Sequence, residues 1–414
     1  MMKELMERYP YSPRRKRRWP IVVIVLLVLI AGYAYYALTR TITLVAPVQS
    51  VDQFSAPAEK STLAWPATDK AAVGIVGSSI LETKNDQSPS ATASTAKTIA
   101  ALTILDKYPL KPGQDGPQIK LTDADVALYN AYAAKNGSLV RVQAGEEITQ
   151  LQMLQAMMLP SANNMADTAA VWAFGSLGGY SAAANAFLAK HNINSTKVGS
   201  DASGLLPETT STPSDLVKIG ELAMDNPVLR KIVGTKQINN FPVAGTLTNT
   251  NTLLGQEGIV GIKTGNSDQA GYVFLGASET KMNNTTVVIV TAVMSAPNRA
   301  AAMSESLTLM KSARTNFHTV EFAKTGDKVG SYSLPWGGSV PVIASKDVSV
   351  KVWNSSRATA VLKLDDIGSN TQAGSTVGTL GVGKSATSNL PPVPVTLATT
   401  PSQPSPWWRL THPL

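Results

Sequence analysis

Ser94-Thr95-Ala96-Lys97-Thr98-Ile99-Ala100-Ala101-Leu102-Thr103-Ile104-Leu105 is the stretch on which the fold turns. Ile99, Ala100, Leu102, Ile104 and Leu105 recur with helical spacing, so a buried helix is predicted over Ser94–Leu105. Ser94 stands where that helix begins, its hydroxyl facing the first turn. Lys97, three residues on, shares its face, and the amine can reach the serine oxygen. A serine hydroxyl is a poor nucleophile until a base takes its proton. Lysine can be that base only if burial or a second cation lowers its pKa. The helix N-terminus also favours negative charge developing near Ser94.

Two further motifs follow in order. Lys263-Thr264-Gly265 closes a strand-like run, Ile259–Gly265, before a turn. A cation and a hydroxyl suit a substrate carboxylate, the glycine allows close approach, and Lys263 is a candidate second cation. Ser161-Ala162-Asn163 falls at a break between two helical patterns, after Leu159-Pro160. A hydroxyl and an amide there can pass a proton and hold a peptide carbonyl. Each motif alone reads as an ordinary helix start or turn; their order is what carries weight. Rival chemistries find little support. The three histidines, His191, His318 and His412, sit in no recognisable motif, and no Gly-x-Ser-x-Gly elbow occurs. No His/Glu cluster has ligand spacing, so neither a metal nor a cofactor is expected. With no cysteine, disulfides, thiolate metal sites and cysteine nucleophiles are excluded.

The formal net charge is +8, but residues 1–18 hold seven Lys/Arg against Glu4 and Glu7, leaving +3 for the other 396 residues. The basic balance therefore describes a short tail and not a nucleic-acid-binding face. After Arg14–Arg18 comes an apolar run, Trp19–Leu38, whose residues 21–38 carry no charge. That is long enough to cross a bilayer as a helix, and the basic run places the N-terminus in the cytoplasm. Trp19, Tyr33, Tyr35 and Tyr36 suit interfacial positions. A cleavable signal peptide is the rival reading, but no small-x-small site follows Leu38.

Residues 41–60 read as a linker, with Pro47 and Pro57. Ala71–Val76 and Ser79–Glu82 read as a strand and its hairpin partner. Helical patterns run from Thr149 through Met158 and recur at Asn164–Phe174, Ser181–Lys190 and Pro213–Met224, with methionines as core filler. Strand-like runs at Tyr272–Ala277 and Val287–Val293 precede a helix over Arg299–Thr315. After His318, short alternating runs at Val348–Trp353, Ala360–Leu364 and Val393–Leu397 predict an all-β region. The expected divisions are a basic tail (1–18), an anchor (19–40), a linker (41–60), a catalytic domain (61–317), a β-rich domain (318–397) and a poorly ordered Pro/Ser-rich tail (398–414). Trp407 and Trp408 in that tail suit a membrane interface or the closing of a domain.

The motifs taken together resemble those of the low-molecular-mass D-alanyl-D-alanine carboxypeptidases, which are penicillin-binding proteins. Further shared stretches are Gly145-Glu146-Glu147, Met157–Ala166, Asp201-Ala202-Ser203-Gly204-Leu205, Asn249-Thr250-Asn251, Leu253-Leu254-Gly255 and Gly261–Gly265 with Ala270-Gly271-Tyr272, over about residues 70–315. The resemblance implies an α/β (α+β) transpeptidase-like domain, an antiparallel sheet flanked by helices with Ser94 beside the Lys263 strand. It implies Ser94 as the acylated nucleophile, Lys97 as general base and Ser161 as proton relay to the leaving D-Ala. Asn163 is expected to bind the substrate amide, and Lys263 and Thr264 the terminal carboxylate. The backbone N–H groups of Ser94 and Asn266 form the expected oxyanion hole. Arg299 resembles a family arginine that aids carboxylate recognition. Implied partners are the peptidoglycan stem peptide, β-lactam inhibitors and the cell membrane, with no nucleic acid. The catalytic domain is then extracytoplasmic.

The chain departs from the family pattern at Ala162, where glycine is commoner, and at Asn266, where many relatives carry histidine. The family often anchors by a C-terminal amphipathic helix; Pro406-Trp407-Trp408-Arg409 is short for one, and the N-terminal helix replaces it in this reading. A β-lactamase shares the fold but needs a deacylating glutamate, and Lys190–Pro207 has none. An endopeptidase cutting cross-links would use the same residues. A non-enzymatic wall-binding protein is expected to lose a motif, and all are intact.

Overall fold

Alternation along two strands decides how the catalytic half is layered. In Ala71–Ile75 and Thr285–Ala296, successive side chains point to opposite faces of one sheet. Val73, Ile75, Val287 and Ile289 pack with Leu309, Met310 and Ala313 of the helix Arg299–Thr315. Ala72, Val290 and Ala292 belong instead to the main core, with Leu216, Val217 and Ile219 of the helix Pro213–Asp225. The computed structural model describes residues 18–44, 55–56, 59–282, 285–354, 356–383 and 391–412. Lys3 to Arg17 of the basic tail, and Pro47 and Pro57 of the expected linker, lie outside the described residues.

The sheet has five strands in the order Ile259–Ser267, Gly271–Met282, Thr285–Ala296, Ala71–Ile75, Leu81–Thr83, and every neighbouring pair is antiparallel. Ile259–Ser267 is therefore an edge strand. A helical subdomain lies against the sheet's inner face: Ala96–Lys107, Asp123–Ala133, Gln150–Met158, Asn163–Phe174 and Leu177–Lys190. Helix starts follow local capping. Thr149 accepts from Gln152 N at 3.1 Å in a capping box, and Thr212 caps Pro213–Asp225 from just ahead of its proline. The antiparallel sheet flanked by helices matches the expectation. In this half two helices escaped the sequence reading, Asp123–Ala133 and Pro227–Gly234. The first buries only Tyr132, and the second spans eight residues, so neither repeats an apolar stripe for long.

From Phe317 the chain is strand-rich. Six strands make one sheet in the order Lys328–Ser333, Ser339–Ala344, Val393–Leu397, Thr376–Val382, Ala358–Leu364, Ser55–Ala56, and Phe317–Ala323 pairs with Val348–Trp353. Two stretches differ from the sequence expectation. Within the expected linker, Ser55–Ala56 pairs with Ala358 and Thr359, and Thr43–Leu44 pairs with Ile367 and Gly368. Leu44 is buried in the β-rich core. Two-residue strands carry no periodicity, and their partners lie some three hundred residues away, so nothing local reveals them. The expected poorly ordered tail contains a helix, Pro406–Thr411, capped by Ser405. It docks on the apolar helix Trp19–Thr39: Tyr33 donates its hydroxyl to the Leu410 carbonyl at 2.6 Å, and Arg409 donates to the Arg40 carbonyl at 2.6 Å. Trp408 stacks on His412 and meets Trp336 edge-on, while Trp407 is exposed. A Pro/Ser-rich composition hides this helix because tertiary contacts hold it.

The helix Trp19–Thr39 is long and apolar enough to cross a membrane, and Ala37 is its one buried residue. Exposed apolar side chains on every face are what a lipid-facing helix presents. The catalytic and β-rich halves meet through Trp353. Its ring is fully buried, 5.1 Å from Phe317 and edge-on to it, and its indole N–H donates to Glu82 Oε1 at 2.7 Å. Asn354 N adds a bond across the seam to the Asn316 carbonyl at 3.0 Å.

Candidate active site

Ser94 lies in a short 3-10 turn, Ala93–Thr95, one step ahead of the α-helix Ala96–Lys107. The sequence placed it inside the first α-turn. The tighter turn arises because Ala93 takes the left-handed region at φ 46° and Thr95 Oγ1 donates back to the Thr92 carbonyl at 2.7 Å. Lys97 is then in the first helical turn with its side chain under Ser94. Its Nζ stands 2.8 Å from Ser94 Oγ, 2.8 Å from Asn163 Oδ1 and 2.8 Å from the Ser203 carbonyl oxygen.

Those three partners are not equivalent. An amide oxygen and a carbonyl oxygen only accept, so two Lys97 hydrogens point at them. The third direction faces Ser94, and a neutral amine would aim its lone pair there. Burial of Lys97 is complete and pulls its pKa down to about 7; Asp201 and Asp167 pull the other way. Burial, and not the second cation offered as an alternative, is thus the cause of the shift. Lys263 is also buried and also lowered, first by burial and then by Lys97 and Arg299.

Ser161 occupies the break between Gln150–Met158 and Asn163–Phe174 with φ 66°, an unfavourable backbone region for a residue with a Cβ. Two neighbouring segments hold this bend. Thr250 N donates to the Leu159 carbonyl at 3.0 Å, and Asn163 N donates to the Ser138 carbonyl at 2.7 Å. The Asn164 side-chain amide ties the same region to Val140, accepting from its N–H at 3.1 Å and donating to its carbonyl at 2.9 Å. Opposite runs the edge strand. A Cβ on Gly265 would come within 3.0 Å of Ser94 N, so glycine lets the strand pass directly against the Ser94 amide. Thr264 Oγ1 and Thr250 Oγ1 are 2.7 Å apart, and Lys263 Nζ donates to the Thr264 carbonyl at 2.9 Å.

Between these walls is a cavity of 260 Å³. Ser94, Ser161, Asn163, Thr264, Gly265, Asn266 and Arg299 all line it, and Lys97 and Lys263 lie buried at its margins. All nine residues singled out from sequence are therefore gathered in one place. Arg299 is the first residue of its helix, with Asn298 capping through Ala301 N at 2.8 Å. The histidines are elsewhere: His191 lies against Phe187, His318 bonds Asn354, and His412 stacks on Trp408. The structure adds residues that no sequence motif had assigned a role. Lys135, Ser138 and Thr250 line the cavity, and Asp167, Asp201, Ser203 and Tyr132 lie behind Lys97. The Asp201–Leu205 and Asn249–Asn251 stretches were visible as shared motifs. Asp167 and Tyr132 carry no such signal, being polar residues inside unremarkable helices.

Residues 59–298 match the family model described as D-alanyl-D-alanine carboxypeptidase. The chain is 29% identical over 239 residues to the D-alanyl-D-alanine carboxypeptidase of Streptomyces sp. (strain K15), covering 53% of this chain and 78% of that protein. Its fold is similar to the crystal structure of the Streptomyces K15 DD-transpeptidase, with TM-score 0.52, 23% identity and coverage of 61% of this chain and 98% of that one. It is also similar to penicillin binding protein 5 from Haemophilus influenzae, with TM-score 0.55 and 17% identity, over 86% of this chain and 99% of that one. The matched residues hold the serine–lysine pair, the Ser161–Asn163 bend and the Lys263 strand, and the chain belongs to the D-alanyl-D-alanine carboxypeptidase family of serine peptidases.

Proposed function

We propose that Ser94 removes the terminal D-Ala from peptidoglycan stem peptides through an acyl-enzyme. The observation that carries this reading is the buried contact of Lys97 Nζ with Ser94 Oγ at 2.8 Å, with Lys97 lowered to about 7. Neutral Lys97 takes the Ser94 proton as Oγ attacks the carbonyl carbon of the penultimate D-Ala. The amides of Ser94 and Asn266 receive the developing oxyanion, a role supported by the close pass of Gly265. Ser161 relays the proton that Lys97 took from Ser94 to the leaving D-Ala nitrogen, so that the C–N bond breaks and Lys97 is neutral again. Asn163 holds the substrate amide. Water, deprotonated by Lys97, then hydrolyses the ester.

Thr264, Lys263 and Arg299 hold the terminal carboxylate. Two cations and a hydroxyl around one end of the cavity support this assignment, and an arriving carboxylate restores the charge that burial disfavours on Lys263. Penicillins present the same carboxylate and acylate the same serine. Recognition of a chain end favours removal of one terminal residue over internal cleavage. The apolar helix Trp19–Thr39 anchors the chain with the N-terminus inside, supported by the Arg14–Arg18 run. The β-rich residues 318–397 then stand between the membrane and the peptidase domain, residues 61–317. Protease added to intact spheroplasts should digest residues 60–414, and full protection would overturn this topology.

Turnover of a D-Ala-D-Ala pentapeptide, the same peptide amidated at its C-terminus, and benzylpenicillin tests the reaction. The free peptide should lose one D-Ala, the amidated one should be cut far more slowly, and the penicilloyl ester should persist. Equal rates for both peptides would indicate an endopeptidase. Rapid benzylpenicillin turnover would indicate a β-lactamase.

A further inference from the structure

Behind Lys97, away from Ser94, lies a closed set of polar side chains for which the steps above have no use. Asp167 comes from the helix Asn163–Phe174, Tyr132 from Asp123–Ala133, and Asp201 and Ser203 from the loop after Leu177–Lys190. All four are buried. Tyr132 donates its hydroxyl to Asp167 Oδ2 at 2.5 Å, and Ala202 N donates to Asp167 Oδ1 at 2.9 Å. Asp201 Oδ2 accepts from the Ser203 hydroxyl and, at 2.9 Å, from Leu205 N. The two carboxylates thus grip the loop on both sides of Ser203, whose carbonyl is a partner of Lys97. The far side of the loop leaves no slack. Gly204 has φ +69°, and a Cβ there would stand 2.1 Å from the Ala93 carbonyl, on the turn that carries Ser94.

We propose that Asp167 and Asp201 are positioning residues that hold the Ser203 carbonyl against Lys97 and set the pH at which Lys97 can accept the Ser94 proton. The inference rests on the acylation chemistry proposed above. Its physical basis is charge compensation in a dry interior. Burial alone favours the neutral amine, whereas two carboxylates close behind favour the ammonium. Asp201 Oδ1 is buried with no hydrogen-bond partner among the described residues, while Oδ2 takes the bonds from Ser203 and Leu205. Burial raises Asp167 to about 6, countered by the bonds from Tyr132 and Ala202. Those two bonds favour the ionised form of Asp167 against its burial. The other titratable groups facing this pocket are Tyr180, which burial and both carboxylates keep protonated, and, on the strand side, Lys263 with Arg299 beyond it. Burial is what opposes a charge on Lys97, and the two aspartates are its counterweight.

The test is the pH profile of acylation by a fluorescent penicillin, using the full chain in detergent. Compared are the parent, Asp201→Asn and Asp167→Asn, each checked for a cooperative melt. Removing one carboxylate takes away a partner of the ammonium, so Lys97 should lose its proton at lower pH. The acid limb should move down by about one pH unit, whatever happens to the plateau. Tyr132→Phe keeps both carboxylates but removes a bond that favours ionised Asp167. It should shift the limb the same way by less, and it decides the matter if neither asparagine variant folds. A limb that stays in place while the plateau falls would reduce the pair to scaffolding and overturn the proposal. A parent protein that is never acylated would instead refute the reaction itself.

Discussion

The two halves of this molecule bury different things. Among the described residues from Phe317 onward, Ser369 is the one buried polar side chain, and the β-rich core is Val, Leu, Ala, Ile367 and Tyr332. The catalytic half buries Lys97, Lys263, Asp167, Asp201, Asn163, Asn164 and Ser203. Burying charge is unfavourable unless each group is paired or shifts its protonation, and here the groups do both. The dry half needs only to fold. The polar half carries two lysines pushed away from their ordinary charge state, which is the mark of a site and not of a scaffold.

Substitutions can break that contrast. The largest effect is expected for Ser94→Ala, which should lose covalent penicillin labelling by at least ~10³-fold while its melting temperature stays close to the parent's. Labelling that persists, read by mass spectrometry of the digested protein, would place the nucleophile elsewhere. Lys97→Arg keeps the positive charge but cannot give it up, so acylation should fall by about 10²–10⁴-fold. In the parent, Lys97 is lowered to about 7, and in the proposed reaction the deprotonated form is the base. The rate should therefore level off above that pH and fall about tenfold per unit well below it. A flat profile down to acid pH would remove Lys97 as the base.

Trp353→Ala probes the seam between the halves. It leaves a cavity beside Phe317 and strips Glu82 of the indole donor, so unfolding in urea should be easier by roughly 3–5 kcal/mol. The penicillin acylation rate of the folded fraction should change little, because the seam lies on the sheet face away from Lys97. A large rate loss at unchanged stability would show that the seam shapes the site. The smallest effect is expected for Trp408→Ala, which loses ring contacts to Trp336 and His412 at about 1 kcal/mol. Faster proteolysis confined to the last residues should report it, with acylation unchanged.

Much of the catalytic half was legible because its signals are local. The helices near Asn164–Phe174 and Arg299–Thr315 follow from apolar spacing, and the edge strand follows from Ile259–Gly265. The site residues were legible because Ser94 and Lys97, or Ser161 and Asn163, are close neighbours in sequence. The docking of Thr43–Leu44, Ser55–Ala56 and Pro406–Thr411 was not, since each is short and depends on a distant partner.

The sequence by itself determined the identity and order of the candidate reactive groups, the apolar helix ahead of them and the change to strands after His318. It did so because helix period, strand alternation and side-chain chemistry act over a few residues. Only the tertiary structure decided that Lys97 is lowered by burial and not by Lys263, that Ser94 sits in a 3-10 turn, and that Asp167 and Asp201 face Lys97 from behind. A desolvation penalty depends on every element that excludes water from a group, and no window of sequence contains them all.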